Sequence, residues 1–88
     1  MIDVYEAQQN IRRTGQLWTR GRYDSNVCIT VTQLDDWFIA SAETEHLTEH
    51  QFRKAIEKVY GTTHDITVER QRWPSNYWRA DGRLKDDS

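Results

Sequence analysis

The amino-acid sequence predicts an α+β fold in two layers: an antiparallel sheet of three to four strands with two helices on one face, in the order α-β-β-β-α-β. Three observations carry this expectation. Two segments repeat apolar residues at the helical period, four others alternate or cluster β-branched and aromatic residues between turn-forming residues, and 88 residues at 36% hydrophobic content supply one core. A chain of this size buries only about 60–65% of its unfolded surface on folding, which excludes two domains.

The first element is helical. Asp3 and Glu6 have the spacing of a capping box, Val4, Ala7 and Ile11 share one face, and Gly15 offers a left-handed exit, so the helix is predicted over Val4–Arg13. Leu17–Tyr23, Val27–Leu34 and Trp37–Glu43 then read as strands of a meander, separated by Asp24-Ser25-Asn26 and by Asp35-Asp36. A two-residue turn between Leu34 and Trp37 sets Val31 opposite Ala40, Ile29 opposite Ala42 and Thr32 opposite Ile39. One face then carries Val27, Ile29, Val31, Phe38, Ala40 and Ala42, small enough in places for both helices to approach. The other carries Leu34, Trp37 and Ile39 among Cys28, Thr30, Thr32 and Ser41. A three-residue loop would exchange the two faces.

The second helix is predicted over Glu49–Tyr60. Thr48 and Gln51 form a capping box, Leu47 and Phe52 a hydrophobic staple, and Phe52, Ala55, Ile56, Val59 and Tyr60 one apolar stripe ending at Gly61. Ile66 and Val68 alternate with Thr67 and Glu69 in a fourth strand that runs out near Arg72, where Trp73-Pro74-Ser75-Asn76 breaks it. Residues 1–72 are therefore expected as a single α+β domain, and residues 73–88 as an aromatic and basic C-terminal extension with a frayed end, Lys85–Ser88.

Composition limits the function. Twelve Lys and Arg against 14 Asp and Glu give a net charge of −2, which argues against a strongly basic nucleic-acid clamp and against a strongly acidic DNA mimic. The single Cys28 removes intramolecular disulfides and Cys-rich zinc modules. There is no run of 18 apolar residues, and the start Met1-Ile2-Asp3-Val4-Tyr5-Glu6 lacks the basic and apolar regions of a signal peptide, so a cytoplasmic protein without membrane contact is expected. His46 and His50 are four apart, the spacing of two metal ligands on one helical face. With Thr48 as N-cap, however, His46 lies before the helix and the pairing loses its geometry. His64 and Asp65 have no nearby nucleophile with a Gly-shaped oxyanion site, and Gly15, Gly21, Gly61 and Gly82 form no phosphate-binding pattern. Neither catalysis, a metal nor a cofactor is expected.

Arginines and aromatics mingle in the stretch from Arg70 to Arg83 and again in Trp18-Thr19-Arg20-Gly21-Arg22-Tyr23. These residue types dominate interface energetics because they bury large areas at low entropy cost and keep a polar handle. The expected contact surface has Trp73 and Trp78 as anchors, Tyr77 as a mixed contact, and Arg70, Arg72 and Arg79 as orienting charges. Arg20 and Arg22 from the first strand and Trp37 and Ile39 from the exposed sheet end complete it. In the competing reading, Trp73, Tyr77 and Trp78 fold back over the Leu34, Trp37 and Ile39 end and serve the fold. Residues 35–49 hold five carboxylates and no Lys or Arg, and residues 70–83 hold four arginines against Asp81, which predicts a dipolar molecule.

The order of elements resembles that of double-stranded RNA-binding domains. At the start of the second helix, where that family meets phosphates with lysines, this chain reads Thr48-Glu49-His50-Gln51, with Arg53-Lys54 further on. The size and layout also resemble those of small phage-encoded inhibitors of bacterial defence nucleases, a likeness that transfers no residues. The resulting expectation is a small non-enzymatic protein acting through protein–protein interaction, as an inhibitor or adaptor. The alternative is a single-stranded nucleic-acid binder, and a homodimer would cover Trp37 and Ile39.

Overall fold

The computed structural model describes residues 4–85. The elements are α1 (Val4–Thr14), β1 (Gln16–Arg20), a short 3-10 turn (Arg22–Asp24), β2 (Asn26–Gln33), β3 (Trp37–Glu43), α2 (Glu49–Tyr60), β4 (His64–Gln71) and β5 (Tyr77–Leu84). The strands form one antiparallel sheet in the order β1-β2-β3-β5-β4, with both helices contributing to the single core on one of its faces. The fold is α+β.

The strand content differs from the expectation. Where the sequence reads an extension beyond residue 72, Tyr77–Leu84 forms a fifth strand inserted between β3 and β4, pairing with both. Its alternation explains the placement: Trp78, Ala80 and Gly82 face the helices, while Tyr77, Arg79, Asp81 and Arg83 face outward. The small inward residues let the sheet lie close under α2. Of the frayed end expected at Lys85–Ser88, residues 86–88 lie outside the described residues, as does the Asp3 half of the capping box expected before α1.

The β2–β3 register is the predicted one. Val31 opposes Ala40 and Thr32 opposes Ile39, and the Leu34 amide donates to the Trp37 carbonyl at 2.7 Å to close a two-residue turn. β1 is shorter than expected, because Tyr23 and Asp24 take positive φ angles of 60° and 58° and turn the chain out of the sheet. α1 buries Ala7 and Ile11, whereas Val4 stays 41% exposed, so the expected apolar stripe reaches the core only from Ala7 onward. Gly15 supplies the left-handed exit with φ +72°.

α2 has its predicted limits. The Gln51 amide donates to Thr48 Oγ1 at 3.1 Å and the Thr48 amide donates to Gln51 Oε1 at 2.9 Å, while Leu47 and Phe52 are fully buried beneath this first turn. Gly61 is right-handed, with φ −61°, so the left-handed exit used by α1 is absent here. At the far end of α2 the Tyr60 ring stacks on Phe38 at 3.9 Å, and the His64 imidazole meets both rings edge-on. Burial pushes the Tyr60 phenol up to about 12 against the opposing effect of Arg12, and its hydroxyl donates to Gln33 Oε1 at 2.9 Å. Among the described residues, no helix is long and apolar enough to cross a membrane.

Candidate functional site

Because neighbouring strands are antiparallel, β1, β3 and β4 finish at one end of the sheet and β2 and β5 begin there. That end gathers three connections: the Gly21–Ser25 loop, the segment from Thr44 to Thr48 leading into α2, and the turn from Arg72 to Asn76. They are tied together by backbone hydrogen bonds. The Arg22 amide donates to the His46 carbonyl at 2.8 Å and the Thr44 amide donates to the Asn76 carbonyl at 3.5 Å. The two arginine-aromatic stretches, 50 positions apart in the chain, therefore meet at one loop end.

Between these loops the uncovered face of the sheet forms an open groove of ≈ 780 Å³ lined by Trp18, Cys28, Glu43, His46, Ser75 and Tyr77, among others. Its floor is a row of side chains across the strands. Trp18 pairs with Cys28 on one side, and Glu43, Tyr77 and Gln71 pair in turn on the other. β1 and β5 are three strands apart, about 14 Å at roughly 4.8 Å per strand. Trp18 is 52% exposed and Tyr77 is half-buried, and neither the indole N–H of Trp18 nor the hydroxyl of Tyr77 has a hydrogen-bond partner among the described residues. The loops that contribute Ser25 and Ser75 to the groove also carry two of the most exposed aromatics in the molecule, Tyr23 at 97% and Trp73 at 84%.

The Tyr23 loop is held in shape without any packing of the Tyr23 ring. The Gly21 amide donates to the Ser25 carbonyl at 2.8 Å, and Ser25 Oγ and the Ser25 amide both donate to the Arg22 carbonyl. A bulky residue such as Tyr23 in the left-handed region costs on the order of 1–2 kcal/mol, whereas Asp24 enters it more readily. Local hydrogen bonding holds that conformation, and it projects an aromatic ring into solvent.

The expected contact residues divide among four places. Arg20, Arg22, Arg72, Trp73 and Tyr77 belong to the loop end. Arg79, Trp37 and Ile39 lie on the same open face, Arg79 at its middle and the other two toward the Asp35-Asp36 turn. Trp78 is corrected from an anchor to a core residue: it is 9% exposed, and its indole N–H donates to the Leu47 carbonyl at 2.9 Å. Arg70 is on the helix side of the sheet, its guanidinium 5.8 Å from the centre of the Trp78 ring. Trp18 and Tyr23 were not among the expected contact residues; the alternation of buried Leu17 with exposed Trp18 was the available signal for the first.

Charge is rearranged by the fold as well. β3 and β5 each run the length of the sheet, so the acidic and basic stretches are split between its two ends. Asp35 and Asp36 lie at one end and Glu43 and Glu45 at the other, while Arg83 pairs in register with Trp37, far from Arg72. The dipole expected from the linear sequence is thereby reduced. Arg79 Nη1 contacts Asp81 Oδ2 at 3.0 Å and Glu69 Oε1 at 3.3 Å, so its charge is already compensated. At the loop end Asp24 meets Arg20 at 3.7 Å and Glu43 meets His46 at 3.1 Å, whereas Arg22 and Arg72 have no carboxylate partner among the described residues. No group of three or more His, Cys, Asp or Glu side chains among the described residues is arranged to hold a metal ion. Burial raises the Cys28 thiol above its ordinary value, against a weaker opposing hydrogen bond from the Leu17 backbone.

Comparison with protein-family models, with curated proteins and with solved structures finds no match to this chain. The functional reading therefore rests on the side chains themselves.

Proposed function

We propose that this chain is a non-enzymatic binding protein whose loop end and open sheet face dock a protein partner, a role suited to an inhibitor or adaptor. What supports the reading is the exposure of Tyr23 and Trp73 on two loops of the same sheet end, whose Ser25 and Ser75 line a groove together with Trp18 and Tyr77. Aromatic side chains in this state offer large contact area at little entropic cost on binding.

Single-stranded nucleic acid also stacks on aromatic rings of open sheets. The charge of this face favours protein instead. Glu43, Asp65, Glu69 and Asp81 outnumber Arg20, Arg79 and Arg83 on it, and Arg79 is engaged with two carboxylates. A polyanion would meet repulsion across the centre of the sheet.

Tagged pull-down with and without nuclease treatment tests the reading. A protein captured in both conditions by the parent chain, and lost with Tyr23→Ala and Trp73→Ala, supports it. Capture abolished by nuclease transfers the surface to nucleic acid, and a tight homodimer in sedimentation that buries Trp18 identifies the partner as a second copy.

A further inference from the structure

We infer that the outer edge of β4 accepts one further strand from a partner protein, and that this strand carries basic residues on one face and aliphatic residues on the other. The hydrogen bonds show which main-chain groups stand open. The Lys85 amide donates to the Thr63 carbonyl at 2.9 Å and the Leu84 amide donates to the Asp36 carbonyl at 2.8 Å, so the main chain of β5 turns alternately to β4 and to β3. In an antiparallel ladder this alternation is strict. Asp65, Thr67, Glu69 and Gln71 therefore bond to β5, while His64, Ile66, Val68 and Arg70 direct their amides and carbonyls away from the sheet. None of these outward main-chain groups has a hydrogen-bond partner among the described residues. The opposite edge, β1, is five residues long and leaves the sheet at the Arg22–Asp24 turn, whereas β4 pairs over eight consecutive residues with no proline, glycine or bulge to blunt it.

The side chains of β4 set the chemistry of its neighbour. Ile66 and Val68 face the helices and pack against the core while only half-buried, so aliphatic residues placed opposite them would complete their cover. On the open face the charged residues of β4 are Asp65 and Glu69, both exposed and both acidic. Asp65 has no ion-pair partner among the described residues, and Glu69 shares the Arg79 guanidinium with Asp81. An added strand would lie about 4.8 Å from β4, whereas Arg79 and Arg83 belong to β5, one strand interval further away, so the two carboxylates dominate what it meets. Arg70, the cation of β4, lies on the helix side with its guanidinium over the Trp78 ring. Two cations four residues apart in the added strand thus face Asp65 and Glu69, and the aliphatic residues between them face Ile66 and Val68. The same charges disfavour a second copy as occupant: antiparallel self-pairing that sets Ile66 against Val68 also sets Asp65 against Glu69, like charges face to face. In strand addition of this kind the main-chain hydrogen bonds give affinity and the alternating side chains give specificity.

The test titrates capped peptides built on Lys-Val-Thr-Ile-Lys against the intact chain and follows amide hydrogen exchange by NMR. Two control peptides carry Glu in place of both lysines, or N-methyl groups on the valine and isoleucine amides that would meet the open carbonyls of β4. The lysine peptide is expected to raise the protection of the Ile66 and Val68 amides about tenfold and to leave Thr67, already bonded to β5, unchanged; both control peptides should bind about tenfold more weakly. Asp65→Lys, its fold checked by circular dichroism, should abolish the preference for lysine over glutamate. Equal binding of the lysine and glutamate peptides, undiminished binding of the N-methylated one, or no added protection at Ile66 and Val68 overturns the inference. Concentration-dependent protection of the same two amides in the chain alone assigns the edge to a second copy and also overturns it. The docking role of the loop end is decided separately by the pull-down with Tyr23→Ala and Trp73→Ala.

Discussion

The ring of Phe38 occupies the space that a side chain on Gly82 would need. The two residues are register partners across β3 and β5, and a Cβ on Gly82 would stand 2.5 Å from Phe38 Cε1 and 3.0 Å from the Asp65 carbonyl oxygen. Tyr60 stacks against Phe38 in turn, so the ring has little room to withdraw. Gly82→Ala is expected to destabilise the fold by about 1–3 kcal/mol, the usual cost of overpacking a filled core. Urea denaturation measures it, and combining Gly82→Ala with Phe38→Leu should recover part of the loss through coupling of the two sites.

Trp78 gives the second prediction, and it reverses the role expected from the sequence. Its indole lies in the core and satisfies the Leu47 carbonyl immediately before α2. Trp78→Ala should cost about 3–5 kcal/mol. Trp78→Phe, which keeps most of the ring but orphans the carbonyl, should cost on the order of 1–3 kcal/mol. Thermal melts that leave the midpoint unmoved in Trp78→Ala would place the indole outside the core.

How legible the molecule was in its sequence varies with the physics behind each element. α2 was read to its ends because cap, staple and stripe are all local and agree, and the β2–β3 register because the two-residue turn determines every pair above it. β5 was hidden. Its inward residues are Trp78, Ala80 and Gly82, of which the last two carry almost no hydrophobic signal, while its outward residues include Arg79, Asp81 and Arg83. The gap between β3 and β4 that requires small inward residues exists only in three dimensions. The Arg22–Tyr23 and Arg72–Trp73 pairs were visible as two similar stretches, but their meeting at one end depends on β5 returning between its neighbours.

His64 predicts an acid-sensitive stability. It is 8% exposed, wedged edge-on against Phe38 and Tyr60, with Nδ1 2.7 Å from Thr63 Oγ1, and burial lowers its proton affinity below the ordinary histidine value. The unfolded chain then takes up a proton more readily than the folded one. Stability from this site is complete above about pH 6.5 and declines as pH falls through the lowered folded value, at a slope of up to about 1.4 kcal/mol per pH unit. Denaturation at pH 7, 6 and 5 should show a steeper loss in the parent chain than in His64→Leu; parallel losses would assign the acid sensitivity elsewhere.

The α2 cap separates a local effect from a global one. Thr48→Ala removes the acceptor for the Gln51 amide and should cost about 0.5–2 kcal/mol, whereas Thr48→Ser restores it. Hydrogen exchange should show the amides of the first turn of α2 losing protection in Thr48→Ala, with α1 changing only in step with overall stability.

Tyr23 yields the prediction that best separates stability from binding. Its φ of 60° and ψ of 31° place a bulky residue in a conformation that glycine adopts freely, and its ring, almost wholly in solvent, has no packing to offset the strain. Tyr23→Gly relieves on the order of 1–2 kcal/mol of backbone strain and returns roughly 0.5–1 kcal/mol through the added entropy of glycine in the unfolded chain. The variant should therefore be as stable as the parent or up to about 1 kcal/mol more stable, while partner capture falls, because the ring has been removed from an otherwise unchanged loop. A residue kept for the fold would behave in the opposite way, with stability dropping and binding following it. Denaturation midpoints and pull-down yields measured on the same preparation distinguish the two, and a loss of stability in Tyr23→Gly without loss of capture would remove Tyr23 from the contact surface.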